Sequence, residues 1–231
     1  MIGIISDIHG SHVALAAVLA RLDEMAVSEI ICLGDIGGYY CQVNECCEEL
    51  RSRNIFSLMG NHDWYLATGE TCPRSASANR CLDYQRRILA ETNRSWLQSL
   101  KPRADIGALS IVHGGWNDPL DEYVVPSVEY FSCLEGRFFA SGHTHVPCVW
   151  GAGDKKYCNP GSVGQPRDGD PRAAFALWDR DSGVFTLQRV RYNYVLLQTA
   201  MKQAGFEPYF YENLSRGTRI GGKVDSLPDL G

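Results

Sequence analysis

Two imidazoles two positions apart, His143 and His145, follow Gly142 and a short apolar run, Phe138-Phe139-Ala140. A glycine there lets the backbone turn sharply where a strand ends, and two rings so spaced on a loop can serve two metal ions lying side by side, one each. The pair alone is weak evidence, since His-x-His also arises on one face of a strand. The chain has only 6 histidines, however, and of the remaining four, His9, His12, His62 and His113, three follow strand-like runs and lie beside Asp, Asn or Gly. Collected, the polar groups at strand ends are Asp7 and His9, Asp35, Asn61 and His62, His113, then His143 and His145. Carboxylate oxygens, imidazole nitrogens and one amide, without cysteine, suit Mn, Fe, Zn or Ni. These eight candidate donors are more than one ion uses. Two ions roughly 3.5–4 Å apart with a carboxylate between them would employ the set well.

The elements that must present these groups are legible in the first third of the chain. Ile2-Gly3-Ile4-Ile5 reads as a buried strand, Ser11 as an N-cap, and Leu15, Val18, Leu19 and Leu22 fall at helical spacing. Ile30 to Leu33 is a second strand, Gln42 to Arg53 a helix, and Ile55 to Met59 a third strand ended by Gly60-Asn61-His62-Asp63. Strand, helix, strand, helix, strand predicts a parallel sheet with its functional groups at the C-terminal strand ends. Between Leu66 and Lys101 the spacing predicts a loop over Thr71–Asn79, a helix over Arg80–Glu91 and a short one over Arg94–Leu100, ended by Pro102. Strands follow at Leu109–Val112, Arg137–Ala140, Val146–Trp150, Lys156–Cys158, Ala173–Trp178 and Val184–Arg191, and their short turns predict a second, mostly antiparallel sheet. Asn193 opens a last helix through Ala204, with Gly205 past its end. Residues 1–205 are expected to form one domain, and 206–231 a tail that packs on it or is partly disordered.

Composition narrows the classes. A chain of 231 residues with 45% hydrophobic and 21% charged residues is that of an ordinary globular protein with a substantial core. A net charge of −5 disfavours a broad grip on nucleic acid, so no stable nucleic-acid binding is expected. No apolar run reaches about 18 residues, so no membrane span is expected. With a strand from Ile2 and polar motif residues by Asp7, no signal peptide is expected and the location is expected to be cytoplasmic. The 9 cysteines are odd in number, irregularly spaced and free of Cys-x-x-Cys, which favours free, mostly buried thiols over a zinc ribbon or redox pair.

In this order the blocks Asp7-Ile8-His9, Gly34-Asp35, Gly60-Asn61-His62-Asp63, His113 and Gly142-His143-Thr144-His145 resemble the calcineurin-like metallophosphoesterases. Any one block is common, whereas all five in order are very specific. The resemblance spans at least Met1 to Val163, is closest to the small single-domain bacterial and archaeal members, and extends to Asn159-Pro160-Gly161-Ser162-Val163-Gly164-Gln165-Pro166-Arg167. It implies an α/β fold, a four-layer α-β-β-α sandwich of two packed mixed β-sheets flanked by helices. It also implies that Asp7, His9 and His145 hold a first metal, Asn61, His113 and His143 a second, and that Asp35 bridges both. A bridging water of lowered pKa would attack phosphorus in line, and His62, not a ligand, would stabilise charge in the transition state or act as general acid. The implied partner is a small phosphodiester or phosphomonoester, nucleotides included.

After the second block, protein Ser/Thr phosphatases and their dinucleoside-tetraphosphatase relatives carry Asp-Arg-Gly, and the small phosphodiesterases often carry Gly-Tyr-Gly-Pro. Here the residues are Gly38-Tyr39-Tyr40-Cys41, so the lip of the pocket differs and Tyr39 is a candidate to stack on a base or aryl group. Arg167, and more weakly Arg172, are candidates to reach a phosphate oxygen. Asp63 is expected to fix the loop presenting His62, His12 to face solvent, and Arg74, Arg80, Arg86 and Arg87 to form a solvated helix face. Rival classes are a non-catalytic binding scaffold on the same fold, against which an intact His62 argues, and a metal-dependent nuclease, which net acidity disfavours. An amidohydrolase barrel would place His-x-His on its first strand and need a longer chain.

Overall fold

A computed structural model describes residues 1–227. Two five-stranded mixed sheets pack face to face. The first has the order β10-β9-β1-β2-β3, from β1 (Ile2–Ile5), β2 (Glu29–Cys32), β3 (Phe56–Ser57), β9 (Ala173–Asp179) and β10 (Val184–Val190). The second has the order β4-β5-β6-β8-β7, from β4 (Arg103–Ile106), β5 (Leu109–Val112), β6 (Phe138–Ser141), β7 (Cys148–Ala152) and β8 (Lys155–Asn159). In the first sheet β1, β2 and β3 run parallel, while β9 pairs antiparallel with β1 and β10 antiparallel with β9. In the second, β5, β6 and β8 are parallel, and β4 and β7 are antiparallel edges.

The strand pleat explains the layering. Alternate residues of a strand face opposite ways, and here Ile2 and Ile4 enter the layer between the sheets with Ile31, Ile111, Ala140 and Trp178, while Ile5 meets the helices on the other side. Phe139 and Tyr157 face outward from the second sheet, onto Trp116, Val124 and Phe131 of the cover that includes α6 (Val128–Ser132). The outer face of the first sheet is covered by α1 (His12–Glu24), α2 (Val43–Ser52), α3 (Asn61–Thr68), α4 (Ala76–Ile88) and α5 (Glu91–Ser99). Leu15, Val18, Leu19 and Leu22, three and four apart, put one face of α1 wholly into that core. Each such buried aliphatic side chain contributes about 1.5–3 kcal/mol.

Several expectations need correction. Ala173–Asp179 and Val184–Val190 join the first sheet rather than the second, β9 pairing antiparallel with β1. The second sheet is therefore not mostly antiparallel: the strands left in it form two parallel and two antiparallel pairs. The polar block after β3 is not a loop but the first turn of α3, closed by Gly69 at φ 86°. α4 begins at Ala76, inside the stretch expected to be loop, because the Ser75 hydroxyl accepts from the Ala78 N–H and caps it there. Ser11 precedes α1 but makes no side-chain cap, and β4 and α6 had no clear signal.

α7 (Tyr194–Gln203) and the tail form a further apolar cluster, in which Leu197, Met201, Phe206, Phe210 and Leu214 enclose Tyr40. Asn213 Nδ2 donates to the Tyr40 hydroxyl at 2.9 Å, tying the tail to the segment that follows Asp35. The part of the expected tail beyond residue 227 lies outside the described residues. Among the described residues, no helix is long and apolar enough to cross a membrane.

Candidate metal centre and its cavity

The C-terminal ends of parallel strands from both sheets meet at one place. Asp7 and His9 follow β1, Asp35 follows β2, Asn61 and His62 open α3 after β3, His113 follows β5, and His143 and His145 follow β6. All eight are at most 5% exposed, which is unusual for such polar side chains. Two groups of donors converge among the described residues, Asp7, His9, Asp35 and His145 in one and Asp35, His113 and His143 in the other, with Asp35 common to both. Asn61 Oδ1 faces His113 Nε2 at 3.2 Å, beside the second group.

Local backbone shows how tightly these positions are imposed. Seven described residues other than glycine have positive φ, and five of them are Asp7, His9, Asp35, His143 and His145, at 53° to 64°. Such conformations cost about 1–2 kcal/mol per residue and persist where surrounding structure over-determines them. The surroundings here are a hydrogen-bonded lattice. Asp7 N–H donates to the Gly34 carbonyl (3.0 Å), His9 N–H to that of Asp35 (2.9 Å), and Gly142 N–H to that of His113 (2.9 Å). His143 N–H donates to Asp7 Oδ2 at 3.1 Å. The Asn159-Pro-Gly-Ser stretch is a brace: Asn159 Nδ2 donates to the Gly142 carbonyl (2.6 Å) and Ser162 Oγ to that of Asp7 (2.7 Å). Gly142 has no substitute, since a side chain there would run into Ser6 and the Asp7 carboxylate.

The rings are held in a common sense. Nδ1 lies against a backbone carbonyl in His9 (Gly37, 2.9 Å), His113 (Leu33, 2.9 Å) and His145 (Gln165, 2.6 Å), so Nδ1 must carry the proton. Each Nε2 then turns to the carboxylates: His145 is 3.2 Å from Asp7 Oδ1, and His9 and His113 are 3.6 and 3.4 Å from Asp35 Oδ2. Imidazoles that ligate metals are oriented in this way. Asp7 Oδ1 and His143 Nε2 are sealed from solvent and without a hydrogen-bond partner, a costly state that a cation would relieve. The donor set therefore fits divalent cations.

Electrostatics agree for three of the four rings. Burial holds His9, His143 and His145 well below the usual histidine range, leaving neutral imidazoles. Burial also acts on His113, but the Asp35 carboxylate outweighs it and raises that ring to about 9. Burial acts against ionised Asp35 too, yet His113 and His62 beside it hold its carboxyl well below the ordinary range. Asp63 fixes the approach to His62 as expected: its carboxylate accepts from Ile36, Gly37 and Gly60 N–H groups (2.9, 2.9 and 3.0 Å). Burial and the Asp35 charge push it up to about 7, against those donors.

A cavity of about 400 Å³ opens onto this cluster, walled by Asp35, Asn61, His62, His143 and His145 on one side. His62 is 5% exposed, its Nδ1 is unpartnered, and burial lowers its pKa. Tyr39 lines the cavity, its ring edge-on to His9 (4.7 Å between centroids) and tilted to His62 (4.9 Å). Its hydroxyl accepts from Arg167 Nη2 at 3.2 Å, and Arg167 lines the cavity as well. Arg172, by contrast, pairs with Asp170 on the surface. His12 stays outside, half-buried 3.6 Å from Glu49.

Sequence reasoning missed several wall residues, Arg74, Tyr123 and Arg219 among them. Arg74 is not on a solvated helix face: it precedes α4, pairs with Asp121, stacks over Tyr123 and lines the cavity. Tyr123 and the tail residue Arg219 line it too. Arg86 also turns inward, to the Tyr65 and Glu70 carbonyls.

Residues 1–183 match the family described as the calcineurin-like phosphoesterase superfamily domain. An uncharacterized protein of Methanocaldococcus jannaschii is 32% identical over 214 residues, 84% of this chain and 88% of its own. A crystal structure of a metallophosphoesterase from Sphaerobacter thermophilus is 32% identical and superposes with a TM-score of 0.82, over 94% of this chain and 98% of that one. A hypothetical protein from Pyrococcus horikoshii shares the fold at a TM-score of 0.82 and 20% identity, over 97% of this chain and 100% of that one.

Proposed function

Because the chain belongs to the calcineurin-like phosphoesterase superfamily, we propose that it hydrolyses small phosphate esters, nucleotides included, with the aid of two divalent cations. The observation that carries this reading is the convergence of buried donors into two groups sharing Asp35, with sealed, unpartnered atoms on Asp7 and His143. Asp7, His9 and His145 would hold one cation, Asn61, His113 and His143 the other, and Asp35 both. Mn, Fe, Zn and Ni all suit this mixture of oxygen and imidazole nitrogen. Bound there, the pair would supply Lewis acidity at the phosphoryl group and a water made nucleophilic near neutral pH.

The protein's own groups do the rest. His62, on the cavity wall, donates to the phosphoryl or leaving-group oxygen as charge develops. Its backbone N–H donates to Asp35 Oδ1 at 2.8 Å, so the first turn of α3 steadies both the shared carboxylate and the acid. Arg167 and Tyr39 form the adjoining wall and bind the remainder of the substrate. The walled cavity favours a small ester over a polymer.

The test is metal analysis joined to an ester panel: aryl monoester, aryl diester, cyclic nucleotide and dinucleoside polyphosphate. Two bound cations per chain and turnover of at least one ester are expected, abolished by chelation. Two bound cations with no turnover of any ester would leave a binding scaffold instead.

A further inference from the structure

We propose that Arg167 is an anion subsite beside the candidate metal centre, and that the ester taken by this chain carries a second phosphoryl group. The inference rests on the function proposed above and extends it to the class of substrate.

Charge around the cavity is unevenly matched. Arg74 is paired with Asp121 and Arg219 with Asp225, and both arginines are more than a third exposed. Arg167 is 4% exposed and has no carboxylate partner among the described residues. Its Nε and Nη2 donate to Gln165 Oε1 at 3.0 and 2.7 Å, and Nη2 also to the Tyr39 hydroxyl. Both partners are neutral. Nη1 has no hydrogen-bond partner among the described residues, and the residue lines the cavity. Burying a guanidinium without a counter-charge is expensive. A ligand anion would remove that cost, and a planar fork with donors to spare suits a phosphate.

Arg167 hydrogen-bonds to none of the candidate metal donors: it reaches Gln165 and Tyr39, and the Tyr39 ring in turn packs against His9 and His62. Gln165 links the two sides, its carbonyl holding His145 and its side-chain oxygen holding Arg167. Asp225 is nearby, with its backbone N–H on the Arg167 carbonyl at 2.7 Å, but its carboxylate is engaged by Arg219 at 2.5 Å. The tail thus supplies that acid with another partner. At about 400 Å³ the cavity has room beyond one phosphoryl group.

Calorimetry on the manganese-loaded protein, with methylphosphonate and methylenediphosphonate as probes, reads the subsite without catalysis. Wild type is expected to bind the bisphosphonate at least about tenfold more tightly, as a charge-assisted contact implies. Arg167→Gln is expected to bring that ratio to within about twofold, and Arg167→Lys to keep part of it. Tyr39→Phe removes only the aligning hydroxyl, guards against a misfolded Arg167 variant, and should lower the ratio in the same direction. No preference in wild type, an unchanged ratio in Arg167→Gln, or equal weakening of both probes would each overturn the proposal. Absence of ester turnover in the same preparation would instead sink the hydrolase reading.

Discussion

His9 Nε2 and His145 Nε2 stand 3.0 Å apart, although 136 positions separate the residues. With Nδ1 of each ring committed to a carbonyl, at most one proton can lie between the two nitrogens. Two buried imidazole nitrogens this close, with Asp7 Oδ1 3.2 Å from that of His145, are donors that the proposed first cation would engage together.

Metal should therefore bind the folded protein far better than the unfolded chain. At a free concentration one hundred times Kd, one such site adds about 2.7 kcal/mol. For a domain of this size that raises Tm by roughly 5–11 °C. Differential scanning calorimetry before and after chelation checks it, and an unchanged Tm would contradict the ligand assignment.

Asp35 and His62 should separate cleanly. Asp35→Asn is expected to abolish turnover and lower bound metal, since that carboxylate belongs to both donor groups. His62→Asn should keep both metals and lose about 10²–10⁴ in kcat, the range for a positioned acid. Metal loss in the His62 variant, read by elemental analysis, would make His62 a ligand.

Asp63→Asn should destabilise by about 1–3 kcal/mol. The replacement amide can still accept from Ile36 and Gly37, but its NH₂ would face the Gly60 N–H in place of an acceptor. Urea denaturation measures the loss, and kcat should fall with it because α3 carries His62.

Thiol labelling should follow burial. Cys133 is exposed, whereas burial raises Cys41 to about 11 and Cys81 to about 12, and raises Cys32, Cys46, Cys47, Cys148 and Cys158 as well. Brief alkylation at pH 8 followed by mass spectrometry should modify Cys133 well ahead of the others. Rapid modification of Cys32 would mean that the layer between helices and sheet opens readily, and that of Cys158 that the layer between the two sheets does.

The site was legible because its residues cluster at strand ends, and strand ends are written locally, as in Ile2 to Ile5 before Asp7 or Leu109 to Val112 before His113. The placement of β9 was not, because Ala173–Asp179 is buried on both faces and carries no mark of which sheet it joins. Its pairing with β1 depends on a partner about 170 residues away. Arg74, Tyr123 and Arg219 escaped for a related reason. They lie on irregular segments, and only the folded chain brings their side chains to one rim.

The left-handed backbone at Asp7, His9, Asp35, His143 and His145 sets folding and function against each other. Glycine at any of these positions would relax the chain and remove a donor, so the most comfortable sequence for this fold is one that does nothing. Variants selected for heat resistance alone should drift toward glycine there, and the discomfort retained by the present sequence is a mark of use.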